Sequence, residues 1–104
     1  MTSDTVEQIA TVLAAAGPAH HTAYIETDGD DPEWPLWYAE HVIEYLRTIL
    51  QRPGLTVSRV VWAFVDSDES HRRDAPDTPW HGHYAERFAD QLRPTRADRL
   101  DPLD

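Results

Sequence analysis

Cysteine does not occur in this 104-residue chain. Disulfides, cysteine-ligated zinc and thiol nucleophiles are therefore excluded. Lysine and asparagine are missing as well, and all nine basic residues are arginine. We attribute that bias to a GC-rich bacterial genome rather than to function. Long apolar runs and a secretory pattern at the N-terminus are also missing, so the chain is expected to be cytoplasmic, with no membrane partner. Positive charge is scarce. Nineteen acidic residues against nine basic ones give a formal net charge of −10, which repels phosphate backbones and makes nucleic acid an unsuitable partner. The excess is compatible with a basic partner or a cationic ligand, although solubility is the commoner reason for an acidic surface.

What the chain does have is aromatic area: four Trp, four Tyr and two Phe, within a composition that is 40% hydrophobic. That is enough apolar surface for a folded core despite the charge. The length suits one helical domain, residues 1–94, followed by a flexible tail, 95–104, in which Arg and Asp alternate.

The stretch Asp31 to Leu46, DPEWPLWYAEHVIEYL, organises the rest. Asp31 is a good N-cap and Pro32 suits the first helical position. Wound at about 100° per residue, the segment puts Trp34, Tyr38, Ala39, Val42, Ile43, Tyr45, Leu46, Ile49 and Leu50 on one wide arc. Glu40, His41, Glu44, Arg47 and Thr48 fall opposite. Trp37 lies among these polar residues, where its indole is either an exposed interface anchor or covered by a neighbouring helix or the tail.

Three further helices are expected. Asp4 to Glu7 reads as a capping box, and a helix over 4–16 should stop at Gly17-Pro18. Residues 19–26 form a short helix or turn. Residues 56–69 are rich in β-branched and aromatic types, but Val57, Val60, Val61, Phe64 and Val65 keep a helical period, and no second strand is available to pair with a first. After a polar loop over 67–79, Asp77 to Leu92 forms the last helix.

That last segment, DTPWHGHYAERFADQL, matches the opening motif at six of sixteen positions, including Trp, Tyr, Ala and Glu. The preceding helices match too, Thr5-Val6-x-x-Ile9 with Thr56-Val57-x-x-Val60, and the same register sets His20 on His71. The expected fold is all-α: a four-helix bundle built from two similar hairpins, about 4–50 and 56–93, an internal duplication with a pseudo-two-fold axis. Trp34 with Tyr38 and Trp80 with Tyr84 would then be equivalent pairs.

The run HHTAYIETDGDDPEWPLWYAEH, residues 20–41, resembles a stretch of the form HHxAY…TDGxDPEWPLWYA in small uncharacterised bacterial proteins. The resemblance implies a small soluble bacterial protein and carries no activity.

Catalytic motifs are sparse. Six His residues invite a metal reading, but neither Glu-x-x-His nor His-x-x-x-His on one helical face occurs, so no metal and no cofactor are expected. Asp28 to Asp31 gathers three carboxylates without the longer ligand spacing of a calcium loop. The best acid–base constellation is His20 and His21 beside Tyr24 and the Asp28–Asp31 loop, which makes these two histidines the catalytic candidates. Ser3, Ser58, Ser67 and Ser70 are assigned to caps and polar turns. The candidate binding residues are Trp37, His41, Trp34, Tyr38, Trp80 and Tyr84. The leading expectation is a protein-binding or assembly module, docking another protein or a second copy of itself as a homodimer, more a binding protein than an enzyme. The alternative is a small enzyme or small-ligand binder with a pocket formed by His20, His21, Tyr38 and Trp34.

Overall fold

The computed structural model describes residues 3–27 and 31–93. Among them are four α-helices and no strand: α1, Ser3–Ala23; α2, Trp34–Ile49; α3, Val57–Asp74; and α4, Trp80–Gln91, with a single 3₁₀ turn at Ile25–Thr27 between α1 and α2. Each helix packs against two others. α1 and α3 both lie against α2 and α4, the arrangement of a bundle. No helix of the described residues is long and apolar enough to cross a membrane.

The core is drawn from the periodic positions. Ile9, Leu13 and Ala16 of α1 meet Ala39, Val42 and Leu46 of α2, Val60, Ala63 and Phe64 of α3, and Ala85 and Phe88 of α4. Phe64 sits at the centre, fully buried. Segment 56–69 is helical, as its period requires. Thr56 caps α3, its Oγ1 accepting the Arg59 N–H at 3.2 Å.

Helix ends are closed by specific devices. α2 finishes in a Schellman-type turn: Gln51 takes a φ of 53°, its N–H reaches the Thr48 carbonyl and the Arg52 N–H reaches the Arg47 carbonyl. The Arg52 guanidinium donates to the Leu92 carbonyl at 3.2 Å. A cation thus satisfies an acceptor just beyond the negative end of α4.

Several boundaries differ from the expectation. α1 does not stop at Gly17-Pro18 but runs on to Ala23 with Pro18 inside it. An internal proline costs roughly 3 kcal/mol. The extra turn carries His20 into contacts with α2 that offset the loss. Gly17 faces α4, where an added Cβ would lie in ordinary contact, 3.6 Å from the Trp80 ring. α3 continues to Asp74, through the segment expected to be loop. Ser67 and Ser70 are accordingly buried helical residues, not turn residues. α2 and α4 begin at Trp34 and Trp80, three residues after Asp31, expected to cap α2, and Asp77, where the last helix was expected to start. Tyr45, expected on the apolar arc, is 57% exposed. The tail over 95–104 lies outside the described residues, as do Asp28 and Asp30 of the acidic loop.

Candidate functional site: an aromatic cleft at one end of the bundle

The C-terminal end of α1, the N-terminal ends of α2 and α4 and the later half of α3 come together at the same end of the bundle. A cleft of about 380 Å³ opens there. That volume suits a small metabolite rather than a chain segment. Its walls are aromatic: Trp34 and Tyr38 from α2, Phe64 from α3, and Trp80 and Tyr84 from α4. Its polar lining is His20, Asp31 and Asp68.

His20 is the hinge of the α1 side. It is buried, and its Nε2 lies 3.1 Å from Asp31 Oδ2. Against an ionised carboxylate, which only accepts, Nε2 carries the proton. The imidazole also stacks on Tyr24 and Tyr38, at centroid separations of 4.8 and 4.9 Å. Asp31 has a second task. Its Oδ1 accepts the Glu33 N–H at 3.0 Å, which shapes the turn that leads into α2. Asp31 is therefore not the N-cap but the residue that fixes the approach to the helix while holding His20.

The α3–α4 side is anchored by Tyr84. Its hydroxyl donates to Asp68 Oδ1 at 2.9 Å. Burial, and then the Asp68 carboxylate, push the Tyr84 phenol well above the ordinary tyrosine range. Tyr38 is raised for parallel reasons, burial first and the Asp31 charge second. Both phenols stay neutral in a site whose local field is negative. The other oxygen of Asp68 pairs with Arg72 at 2.7 Å, on an arginine side chain that is 71% exposed.

The candidate residues fall into two groups. The cleft brings together His20, Trp34, Tyr38, Trp80 and Tyr84. His21, one residue along the helix, is exposed. Trp37 is half-buried, stacked on His41 at 4.8 Å and set edge-on to His20 at 4.9 Å. The pair Trp37–His41 therefore backs the cleft from outside and does not line it. A neighbouring cluster joins Ser70 to His83 Nε2 at 3.0 Å, while the His71 ring N–H donates to the Thr78 carbonyl at 2.7 Å. Asp68 and Phe64 escaped the sequence reading as site residues. Phe64 read as core, and Asp68 lay where the expected helix over 56–69 overlaps the expected loop over 67–79. Their four-residue spacing along a continued α3 is the signal that places both on one face. Among the described residues, no three His, Asp or Glu side chains converge as a metal-binding group.

No family model matches the chain, and neither a curated protein nor a solved structure matches it at a significant level.

Proposed function

We propose that the protein binds a small molecule in the aromatic cleft. The observation that carries this is convergence: residues from all four helices, distant in sequence, line one opening of about 380 Å³. Protein interiors leave few voids larger than a water molecule, whereas ligand clefts combine apolar and aromatic walls with a few placed polar groups, as this one does. Here it is edged by a His–Asp pair and a Tyr–Asp pair, fixed by hydrogen bonds at 3.1 and 2.9 Å. Groups held in this way recognise polar atoms with little reorganisation on binding. His20 donates from Nε2 to Asp31, which leaves Nδ1 as the accepting nitrogen of the ring, so general acid–base chemistry belongs to the same reading.

Trp34 and Trp80 both border the cleft and serve as internal reporters. A metabolite library screened by thermal shift, with tryptophan fluorescence as a second channel, tests the proposal. Hits should stabilise the protein, perturb its emission and lose their effect in Tyr38→Ala. A library in which nothing raises the melting temperature would sink it.

The same reading takes the two hairpins as copies of one ancestral hairpin. In support, each Trp stands edge-on to the Tyr four residues later, at 81° for Trp34–Tyr38 and 74° for Trp80–Tyr84. Each Tyr also meets the histidine of its own hairpin, at 4.9 Å for His20–Tyr38 and 6.1 Å for His71–Tyr84. Duplication would give the cleft its paired walls.

A docking role keeps one observation in its favour. Trp62 and Val65, one turn apart on α3, are 53% and 42% exposed. If they anchor a second copy or another protein, Trp62→Ala changes the sedimentation behaviour without altering the melting temperature.

A further inference from the structure

We infer that the cleft selects a small organic cation, an ammonium group carried on a compact molecule. This rests on the reading of the cleft as a ligand site and specifies its chemistry.

The walls come first. Tyr38 meets Trp34 at 81° and Trp80 at 73°, and Trp80 meets Tyr84 at 74°. Rings set nearly at right angles form the sides of a box, in which the stacked His20 imidazole covers one face of Tyr38. Aromatic faces carry negative quadrupole density, and several of them around one point attract a cation.

The charges point the same way. Among the described residues lining the cleft, the carboxylates are Asp31 and Asp68, and no arginine is present. An ionised carboxylate offers about four lone-pair positions. Asp31 has used one oxygen on the Glu33 N–H and the other on His20, and it also takes a hydrogen bond from the Tyr24 hydroxyl, three of its positions in all. Asp68 has used its oxygens on Tyr84 and Arg72, each with a single bond. Acceptor capacity therefore remains on both. The Arg72 charge reduces the field of Asp68 without cancelling it, because its side chain is mostly in solvent and screened. An anion entering the cleft would meet two carboxylates and no lining arginine. The net charge of −10 adds a long-range attraction that concentrates cations near the protein.

The geometry also bears on which cation. The carboxylates accept N–H donors, and the rings accept bare methylated nitrogen, so primary and quaternary ammonium share the site chemistry and the probes separate them. Isothermal titration of the full chain uses choline and ethanolamine. Each is paired with a neutral isostere in which carbon replaces nitrogen, and acetate serves as the anion. At least one ammonium probe should bind about tenfold or more tightly than its isostere. In Asp68→Asn, which keeps the shape of the side chain, the ammonium affinity should fall about tenfold while the isostere is unaffected. Equal or tighter binding of an isostere or of acetate overturns the cation inference and leaves the cleft standing as a ligand site. Unchanged ammonium affinity in Asp68→Asn overturns it as well. Failure of both ammonium probes at millimolar concentration also overturns it, and the library screen then judges the cleft separately.

Discussion

His20 and Asp31, eleven residues apart, join the end of α1 to the start of α2 through a 3.1 Å contact between Nε2 and Oδ2. Their side chains are only 9% and 6% exposed, so little water competes for the bond. A hydrogen bond to a charged group in such a setting contributes about 1.5–3 kcal/mol. A double-mutant cycle with His20→Gln and Asp31→Asn should therefore return a coupling of about 1–2 kcal/mol. Additive single mutants in urea melts would mean that the two residues hold their places independently.

Phe64 and Trp34 face each other edge-on at 6.2 Å, but they do different work. Phe64 is completely buried and touches the rings of Tyr38, Tyr84 and Phe88 besides Trp34. Phe64→Ala should cost about 3–5 kcal/mol, a large share of the stability of so small a protein. Trp34 is half-buried on the cleft, and Trp34→Ala should cost less, about 1–2 kcal/mol, while removing ligand binding. Chemical denaturation of both variants checks the order. A Trp34 variant less stable than the Phe64 variant would make the cleft a part of the core.

Tyr84 should resist ionisation. Burial raises its pKa first, and the Asp68 hydrogen bond and charge add to the rise. The folded state thus favours the neutral phenol more than the unfolded chain does. That preference contributes stability in full below about pH 10, and the contribution is lost as pH rises through the folded value. In an alkaline titration followed by phenolate absorbance, Tyr84→Phe should remove the step that coincides with unfolding. Asp68→Asn should move that step to lower pH, still above free tyrosine. A Tyr84 that titrates with free tyrosine would contradict the hydrogen bond.

The helices were readable because apolar residues recur at the helical period, and the buried positions Ala39, Val42, Ile43 and Leu46 of α2 fall on the arc that this period defines. The site was half readable. Trp34, Tyr38, Trp80 and Tyr84 stood out as aromatics in a repeated frame, and His20 as a local neighbour of acidic residues. Asp68 did not stand out. Its helix is held to α4 by polar pairs: Asp66 with Arg87 and Gln91, Asp68 with Tyr84, and Ser70 with His83. Such pairs join residues 13–25 apart and leave no mark in hydrophobic periodicity, so residues 67–74 looked like solvent-exposed loop.

Pro18 misled for a related reason. Local propensity argues for a break, and tertiary contacts of His20 carry the helix past it. Pro18 is exposed within α1, and an alanine there would restore the missing N–H. Pro18→Ala should stabilise the protein by about 1–3 kcal/mol, read as a rise in melting temperature. A fall would mean that the proline sets a bend which His20 needs in order to reach Asp31.

The Asp66 cluster predicts an acid-side dependence. Hydrogen bonds from Arg87 and Gln91 hold the Asp66 carboxyl below the usual carboxylate range, with the charges of Arg87 and Arg73 adding to the effect and burial opposing it. The folded protein therefore favours the ionised form more than the unfolded chain does. The resulting stability is complete above the ordinary carboxylate value, near pH 4, and is lost as pH falls through the lower folded value. The Asp66 and Arg87 side chains are 31% and 33% exposed, so screening limits the effect. Asp66→Asn should cost about 1 kcal/mol at neutral pH, and the gap to the parent protein should close below about pH 4. Urea midpoints measured from neutral pH down to pH 3 decide it. A gap that stays constant over that range would show that Asp66 acts through its shape and not through its charge.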